Sequence, residues 1–200
     1  MRAWPAKIKK GAAVPTAFLD RDGTINHNRA GTYITRLSQL KIYAAAPAAL
    51  RLLSAKGYRI VIITNQSGVA RGYMTLADSR AINLKLLREL RRAGAGVDAV
   101  YFCPHGPGEK CACRKPAPGL IREAVKDSPA DMTRSFMAGD KKCDLQLAKN
   151  SGLKGFLLLT GQGKSVASPP KAYKDLFALA RALPDLSVDE FIPEAKRRKR

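Results

Sequence analysis

Apolar residues in this chain come in short unbroken runs separated by longer stretches of helical period. Ala17-Phe18-Leu19 closes at Asp20, Ile60 to Ile63 closes at Thr64, and Phe136-Met137-Ala138 closes at Gly139-Asp140. Runs of about four to eight residues bounded by Gly, acid or amide mark strands buried on both faces. The spacing predicts strands over 16–19, 59–63, 98–102, 135–138 and 155–159. Between them, 47–56 reads as a helix with Pro at its start and Gly57 at its stop. Residues 75–93 carry Leu76, Ile82, Leu86 and Leu90 on one stripe, with Thr75 as the cap. Further helices are predicted over 118–126, 144–150 and 173–183, with a loop over 161–171. Strand and helix in strict alternation predict an α/β fold with a parallel sheet wrapped by helices.

The densest chemistry lies just after the 98–102 strand. Cys103-Pro104-His105 and Cys111-Ala112-Cys113 place three thiols and one imidazole on one short loop, in a chain with 4 Cys and 2 His. Two Gly between the arms ease the reversal. Four soft or borderline donors in one loop fit a tetrahedral, structural Zn²⁺ site formed by Cys103, His105, Cys111 and Cys113. The competing reading is a disulfide or unrelated loop residues. Arg114 and Lys115 follow directly, two cations placed to grip an anion. Cys143 is left single, which argues for a reducing compartment and against a disulfide scaffold.

A second cluster sits where the first strand breaks into Asp20-Arg21-Asp22-Gly23-Thr24. Polar groups at the carboxyl end of a buried strand are where ligands bind in open α/β sheets. Two carboxylates two residues apart call for a cation, and Mg²⁺, completed by water and phosphate, suits them; the plain alternative is a solvated acidic turn. The strand at 59–63 ends in Thr64-Asn65-Gln66-Ser67-Gly68, and the one at 135–138 in Gly139-Asp140-Lys141-Lys142-Cys143-Asp144.

Asp20-x-Asp22-Gly-Thr, Thr64-Asn65, Lys115 and Gly139-Asp140-x-x-x-Asp144 resemble, in order, the four signatures of the haloacid dehalogenase superfamily of phosphohydrolases. TNQSGVARG at 64–72 and CPH…CACRKPAPG at 103–119 resemble the branch of heptose bisphosphate and histidinol-phosphate phosphatases. The resemblance spans about 16–162. It implies a three-layer Rossmann-like sheet with a minimal cap and the zinc loop at 103–113. It also implies a Mg²⁺-dependent phosphomonoesterase working through an aspartyl-phosphate. Asp20 would be the nucleophile and Asp22 the general acid and base, kept protonated when needed by its closeness to Asp20. Mg²⁺ would be held by the Asp20 and Asp140 carboxylates and the Asp22 backbone carbonyl. Thr64 and Lys115 would bind the phosphoryl oxygens, and Asn65, Gln66, Ser67 and Arg114 the substrate. Lys141 would brace the acids near the substrate, with Asp144 behind.

The substrate implied is D-glycero-D-manno-heptose 1,7-bisphosphate, losing its 7-phosphate on the route to lipopolysaccharide heptose, with histidinol phosphate as the alternative. The branch pattern N-x-D-x-G-Y-V is altered here: residues 26–34 read NHNRAGTYI, one residue longer and without the acid.

Two hundred residues suit one domain, placed at 15–186, between a basic extension (1–14) and a basic tail (187–200). No apolar run reaches the roughly 18 residues of a membrane span, and the basic N-terminus has no apolar core of a secretory signal. A cytoplasmic monomer acting on a small phosphorylated metabolite is expected. The net charge of +20, from 36 Lys and Arg against 16 Asp and Glu, allows a nucleic-acid partner or polynucleotide 3′-phosphatase activity as a third reading. Thinly spread aromatics speak against base stacking.

Overall fold

The structure, a computed structural model, describes residues 2–5, 12–28, 31–166 and 171–186. Strands β1 (Arg2–Pro5), β2 (Thr16–Leu19), β3 (Arg59–Asn65), β4 (Ala99–Cys103), β5 (Phe136–Gly139), β6 (Lys154–Leu158) and β7 (Ala172–Tyr173) share one sheet. Their order is β1-β4-β3-β2-β5-β6-β7. β2 to β7 run parallel, and β1 joins the β4 edge antiparallel. The helices are α1 (Ala46–Ala55), α2 (Leu76–Arg92), α3 (Gly119–Asp127), α4 (Lys142–Asn150) and α5 (Leu176–Ala182).

Alternation along each strand assigns the two faces. Leu19, Ile60, Ile62, Phe136 and Ala138 pack with Leu50 and Leu53 of α1, Ile82, Leu86 and Leu90 of α2, and Leu179 of α5. Phe18, Val61, Ile63, Tyr101 and Met137 point the other way, onto Leu120 and Ala124 of α3 and Leu147 of α4. The result is the expected three-layer, Rossmann-like sandwich with helices on both sides. Among the described residues no helix is long and apolar enough to cross a membrane.

From β2 the chain steps outward to β3 and β4, then returns to the other side of β2 as β5. Crossovers therefore diverge at the β2–β5 boundary, the switch point where open α/β sheets leave a crevice at the strands' carboxyl ends. Leu19 pairs with Ala138, and the Asp20 amide donates to the Ala138 carbonyl at 2.9 Å. Asp20 and Asp140 thus leave adjacent strands side by side.

Three departures from the sequence reading bear on the sheet and its last helix. β3 runs two residues longer, because Thr64 and Asn65 still pair with Phe102 and Cys103. The last helix does not start at Tyr173: Ala172–Tyr173 pairs with β6, and the Asp175 carboxylate then caps α5 by accepting from the Ala178 amide at 2.8 Å. Finally, Arg2–Pro5, inside the proposed basic extension, is an edge strand. The tail at 187–200 lies outside the described residues.

Candidate active site

Asp20 is buried between two ammonium groups. Lys115 Nζ lies 2.7 Å from Asp20 Oδ1 and 2.7 Å from Asp144 Oδ1, and donates to the Ile63 carbonyl at 2.9 Å. Lys141 Nζ lies 3.2 Å from Asp20 Oδ2, 3.0 Å from Asp140 Oδ1 and 2.9 Å from the Asp22 carbonyl oxygen. Burial alone would raise the Asp20 carboxyl, but Lys115 and Lys141 outweigh it and hold the group well below the usual carboxylate range. An anionic carboxylate at a strand end, flanked by cations, could act as a nucleophile toward phosphorus.

The three oxygens that converge on Lys141 Nζ come from Asp20, Asp140 and the Asp22 backbone. One cation already sits where hard donors meet, so these residues could hold Mg²⁺, which takes carboxylate and carbonyl oxygens and keeps open positions for water and phosphate. Asp140 packs so closely on Gly23 that no side chain fits there. A Cβ at Gly23, whose φ is +89°, would come within 2.1 Å of Asp140 Oδ2. Burial and then the Asp20 charge push the Asp140 carboxyl up to about 6. Asp144 faces Lys115 and accepts from the Lys141 amide at 3.0 Å, tying the first turn of α4 to the site.

Asp22 is set by more than its closeness to Asp20. Its closeness to Asp20 does raise its carboxyl, and burial raises it more, but the neighbouring Arg21 guanidinium outweighs both and holds it below the ordinary value. Asp22 Oδ2 accepts from Arg21 Nη2 at 2.7 Å and from Gln66 Nε2 at 2.9 Å; Oδ1 accepts from Arg21 Nε at 3.1 Å and from Asn26 Nδ2 at 2.9 Å. The resting group is an ionised carboxylate.

The remaining residues divide between the cleft and its frame. A cleft of about 190 Å³ is lined by Asp20, Asp22, Thr64, Ser67, Arg114, Lys115 and Lys141, among others. Thr64 Oγ1 accepts from Gln66 Nε2 at 2.9 Å. Asn65, which also borders the cleft, donates to the Lys115 carbonyl at 3.1 Å and accepts from its amide at 3.0 Å, so it fixes the Lys115 backbone. Gln66 is buried beside Asp22. Ser67 Oγ meets the Tyr33 hydroxyl at 3.3 Å, and Arg114 Nη1 donates to the His105 carbonyl at 3.1 Å. Cys143 also borders the cleft, and burial, helped by Asp144, pushes its thiol up to about 12, away from the reactive thiolate form. His27 is an exposed loop residue stacked on Tyr43. Sequence reasoning missed Arg21 and Asn83. The signal for Asn83 was its place on the inward stripe of α2; a lone Arg in an acidic turn ordinarily reads as solvated.

Behind this wall, Cys103 Sγ, His105 Nδ1, Cys111 Sγ and Cys113 Sγ form a compact cluster. Cys103 Sγ stands 3.7 Å from Cys111 Sγ, 3.2 Å from Cys113 Sγ and 3.4 Å from His105 Nδ1. Cys113 Sγ stands 3.6 Å from Cys111 Sγ and 3.1 Å from His105 Nδ1. Metal–ligand lengths of ~2.0–2.3 Å put tetrahedral edges at roughly 3.5–3.8 Å, so the set fits one zinc-sized ion with slight expansion. No disulfide joins the four cysteines in this structure. The loop is anchored at both ends: the Gln66 amide donates to the Cys103 carbonyl at 2.7 Å, and the Gly119 amide to the Ala112 carbonyl at 2.9 Å.

Comparison with known proteins places this geometry. A family model described as HAD-hydrolase-like matches residues 112–186. A probable D-glycero-D-manno-heptose-1,7-bisphosphate 7-phosphatase of Thermoplasma acidophilum is 44% identical over 147 residues, 73% of this chain and 91% of that protein. The chain belongs to the haloacid dehalogenase-like family of phosphatases. A D-glycero-beta-D-manno-heptose-1,7-bisphosphate 7-phosphatase of Rhodopseudomonas palustris is 46% identical over 71% of this phosphatase and 82% of its own length. Among solved structures, the D,D-heptose 1,7-bisphosphate phosphatase of B. bronchiseptica, complexed with magnesium and phosphate, superposes with a TM-score of 0.77. It shares 34% identity over 84% of this phosphatase and 96% of its own chain.

Proposed function

We propose that this phosphatase removes the 7-phosphate of D-glycero-D-manno-heptose 1,7-bisphosphate by way of a phosphoryl group carried on Asp20. The observation that carries the reading is the convergence of Asp20, Asp140 and the Asp22 carbonyl on one cationic centre, in a chain 44–46% identical to proteins named for that reaction. Asp20 Oδ attacks phosphorus, and the bond from phosphorus to the sugar oxygen breaks. Asp22 delivers a proton to the departing alkoxide. A water then attacks the phosphoryl group, its proton passing to Asp22, and inorganic phosphate leaves with Asp20 restored.

Asp22 therefore has to be protonated after substrate enters; the approaching phosphate dianion, adding negative charge beside it, favours that. Thr64 and Lys115 bind the phosphoryl oxygens, and Ser67, Arg114 and Lys141 meet the rest of the substrate. Asn65 and Gln66 act from the wall, through Lys115 and Asp22. Mg²⁺, held by Asp20, Asp140 and the Asp22 carbonyl, would supply charge stabilisation for the transferring group. For that, Lys141 Nζ has to yield its central place and turn toward the phosphate.

Residues 15–186 form the catalytic domain in this reading, a cytoplasmic monomer with basic flanks at 1–14 and 187–200. A panel of heptose 1,7-bisphosphate anomers, histidinol phosphate and 3′-phosphorylated oligonucleotides tests the choice. The expected product is the heptose 1-phosphate, with the highest kcat/KM of the panel. Preference for histidinol phosphate, or for the oligonucleotide with a steep salt dependence, would replace the assignment.

Zinc, bound by Cys103, His105, Cys111 and Cys113, would be structural, since the four donors leave no open position. Stripping it should loosen 103–114 and misplace Arg114 more than Lys115, whose backbone Asn65 holds from β3. KM is expected to rise about tenfold or more, with kcat falling less. Metal analysis paired with kinetics before and after chelation reads this; no zinc in the purified protein, or Cys111→Ala with unchanged KM, would refute it.

A further inference from the structure

Arg21 follows the proposed nucleophile, yet its side chain turns away from the cleft and is fully buried. Nε and Nη2 grip the Asp22 carboxylate, Nη2 also donates to Gln66 Oε1 at 3.1 Å, and Nη1 donates to Asn83 Oδ1 at 2.7 Å. A guanidinium is planar and only donates, so the acceptor it meets on Asn83 is the amide oxygen, and fixing one edge of the fork orients the other. Asn83 sits fully buried on the inward stripe of α2, between Ile82 and Leu86. A buried amide is costly there, and its Nδ2 has no hydrogen-bond partner among the described residues. Its bond to Arg21 gives this otherwise ill-placed side chain its purpose.

We propose that Asn83, acting through Arg21, is a positioning residue that holds the Asp22 carboxylate at the wall of the cleft for both proton transfers of the phosphatase reaction. The inference rests on Asp22 being the acid and base of that reaction. α2 thereby reaches the chemistry through two side chains: Asn83 sets the guanidinium, and the guanidinium sets the carboxylate. A carboxylate so held meets the leaving oxygen in the first step and the attacking water in the second.

The two steps separate with p-nitrophenyl phosphate, whose leaving group departs without a proton, so forming the phosphoenzyme needs no acid while hydrolysing it still needs the base. In the Mg²⁺-loaded full chain, Asn83→Leu, close in volume, is expected to release a burst of about one p-nitrophenolate per site at the wild-type rate. Steady turnover should then run about 10- to 100-fold below wild type, and an alkyl phosphate should lose a similar factor with no burst. Arg21→Met should give the same pattern more strongly; if it does not fold, Asn83→Leu carries the test alone. Burst and steady rates falling together, or neither changing, would overturn the proposal. Wild-type protein releasing phosphate from neither ester would instead remove the phosphatase reading itself.

Discussion

Asp20→Asn is expected to lower phosphate release by roughly four orders of magnitude or more while leaving the protein folded. The amide is nearly isosteric with the carboxylate but is a poor nucleophile. The surroundings also tolerate the lost charge, because Lys115 keeps Asp144 at 2.7 Å and Lys141 keeps Asp140 at 3.0 Å. A phosphate-release assay with a thermal melt on the same preparation checks both halves. Substantial turnover in a clean, folded Asp20→Asn sample would end the covalent mechanism.

Lys115→Met is expected to fail on both counts, in stability as well as turnover. Its ammonium is buried against Asp20 and Asp144, and burial, which alone would lower it, is outweighed by the two carboxylates, so the lysine stays charged. Removing one partner of a buried ion pair leaves uncompensated charge, at a cost of about 3–5 kcal/mol. The phosphoryl group would lose its nearest fixed cation as well. Adding Asp144→Asn to Lys115→Met removes one of the stranded charges, so the double variant should recover part of the stability and none of the turnover. Denaturant melts on the two variants decide this. A Lys115→Met protein as stable as wild type would mean that the ion pairs are not the ones described.

The layered sheet was legible because buried parallel strands are written as short apolar runs, and each run here stops at a polar residue that becomes part of the site. Asp20, Thr64, Asp140, Cys103 and His105 all stand at or close beyond strand ends, and Cys111 and Cys113 return to Cys103 and His105 on the loop that follows β4. Less legible was how these side chains divide the work. Asn65 and Gln66 look alike in one dimension, but Asn65, at the end of β3, borders the cleft while binding the Lys115 backbone, and Gln66, just past it, is buried against Asp22. Asp20 was expected to help keep Asp22 protonated when needed; it does push the Asp22 carboxyl up, but Arg21, whose guanidinium folds back into the core instead of reaching for water, pulls it down further. β7 has two residues, too few for a period to be visible, and β1, Arg2–Pro5, contains no unbroken apolar run of the kind that marks β2 or β5. Thr75 and Asp78 form the capping box that the 75–93 reading anticipated only in part.

The central claim is that phosphate passes through Asp20. Acid quenching during turnover of an isotopically labelled phosphate ester, followed by mass analysis of the peptide carrying Asp20, tests it most directly. The account predicts a phosphoryl group on Asp20 while substrate lasts, absent from Asp20→Asn. With labelled p-nitrophenyl phosphate, whose leaving group needs no proton, it also predicts accumulation in Asn83→Leu, because there only hydrolysis of the phosphoenzyme is slowed. Phosphate release with no labelled protein in Asn83→Leu, or with the label on any residue other than Asp20, would contradict it.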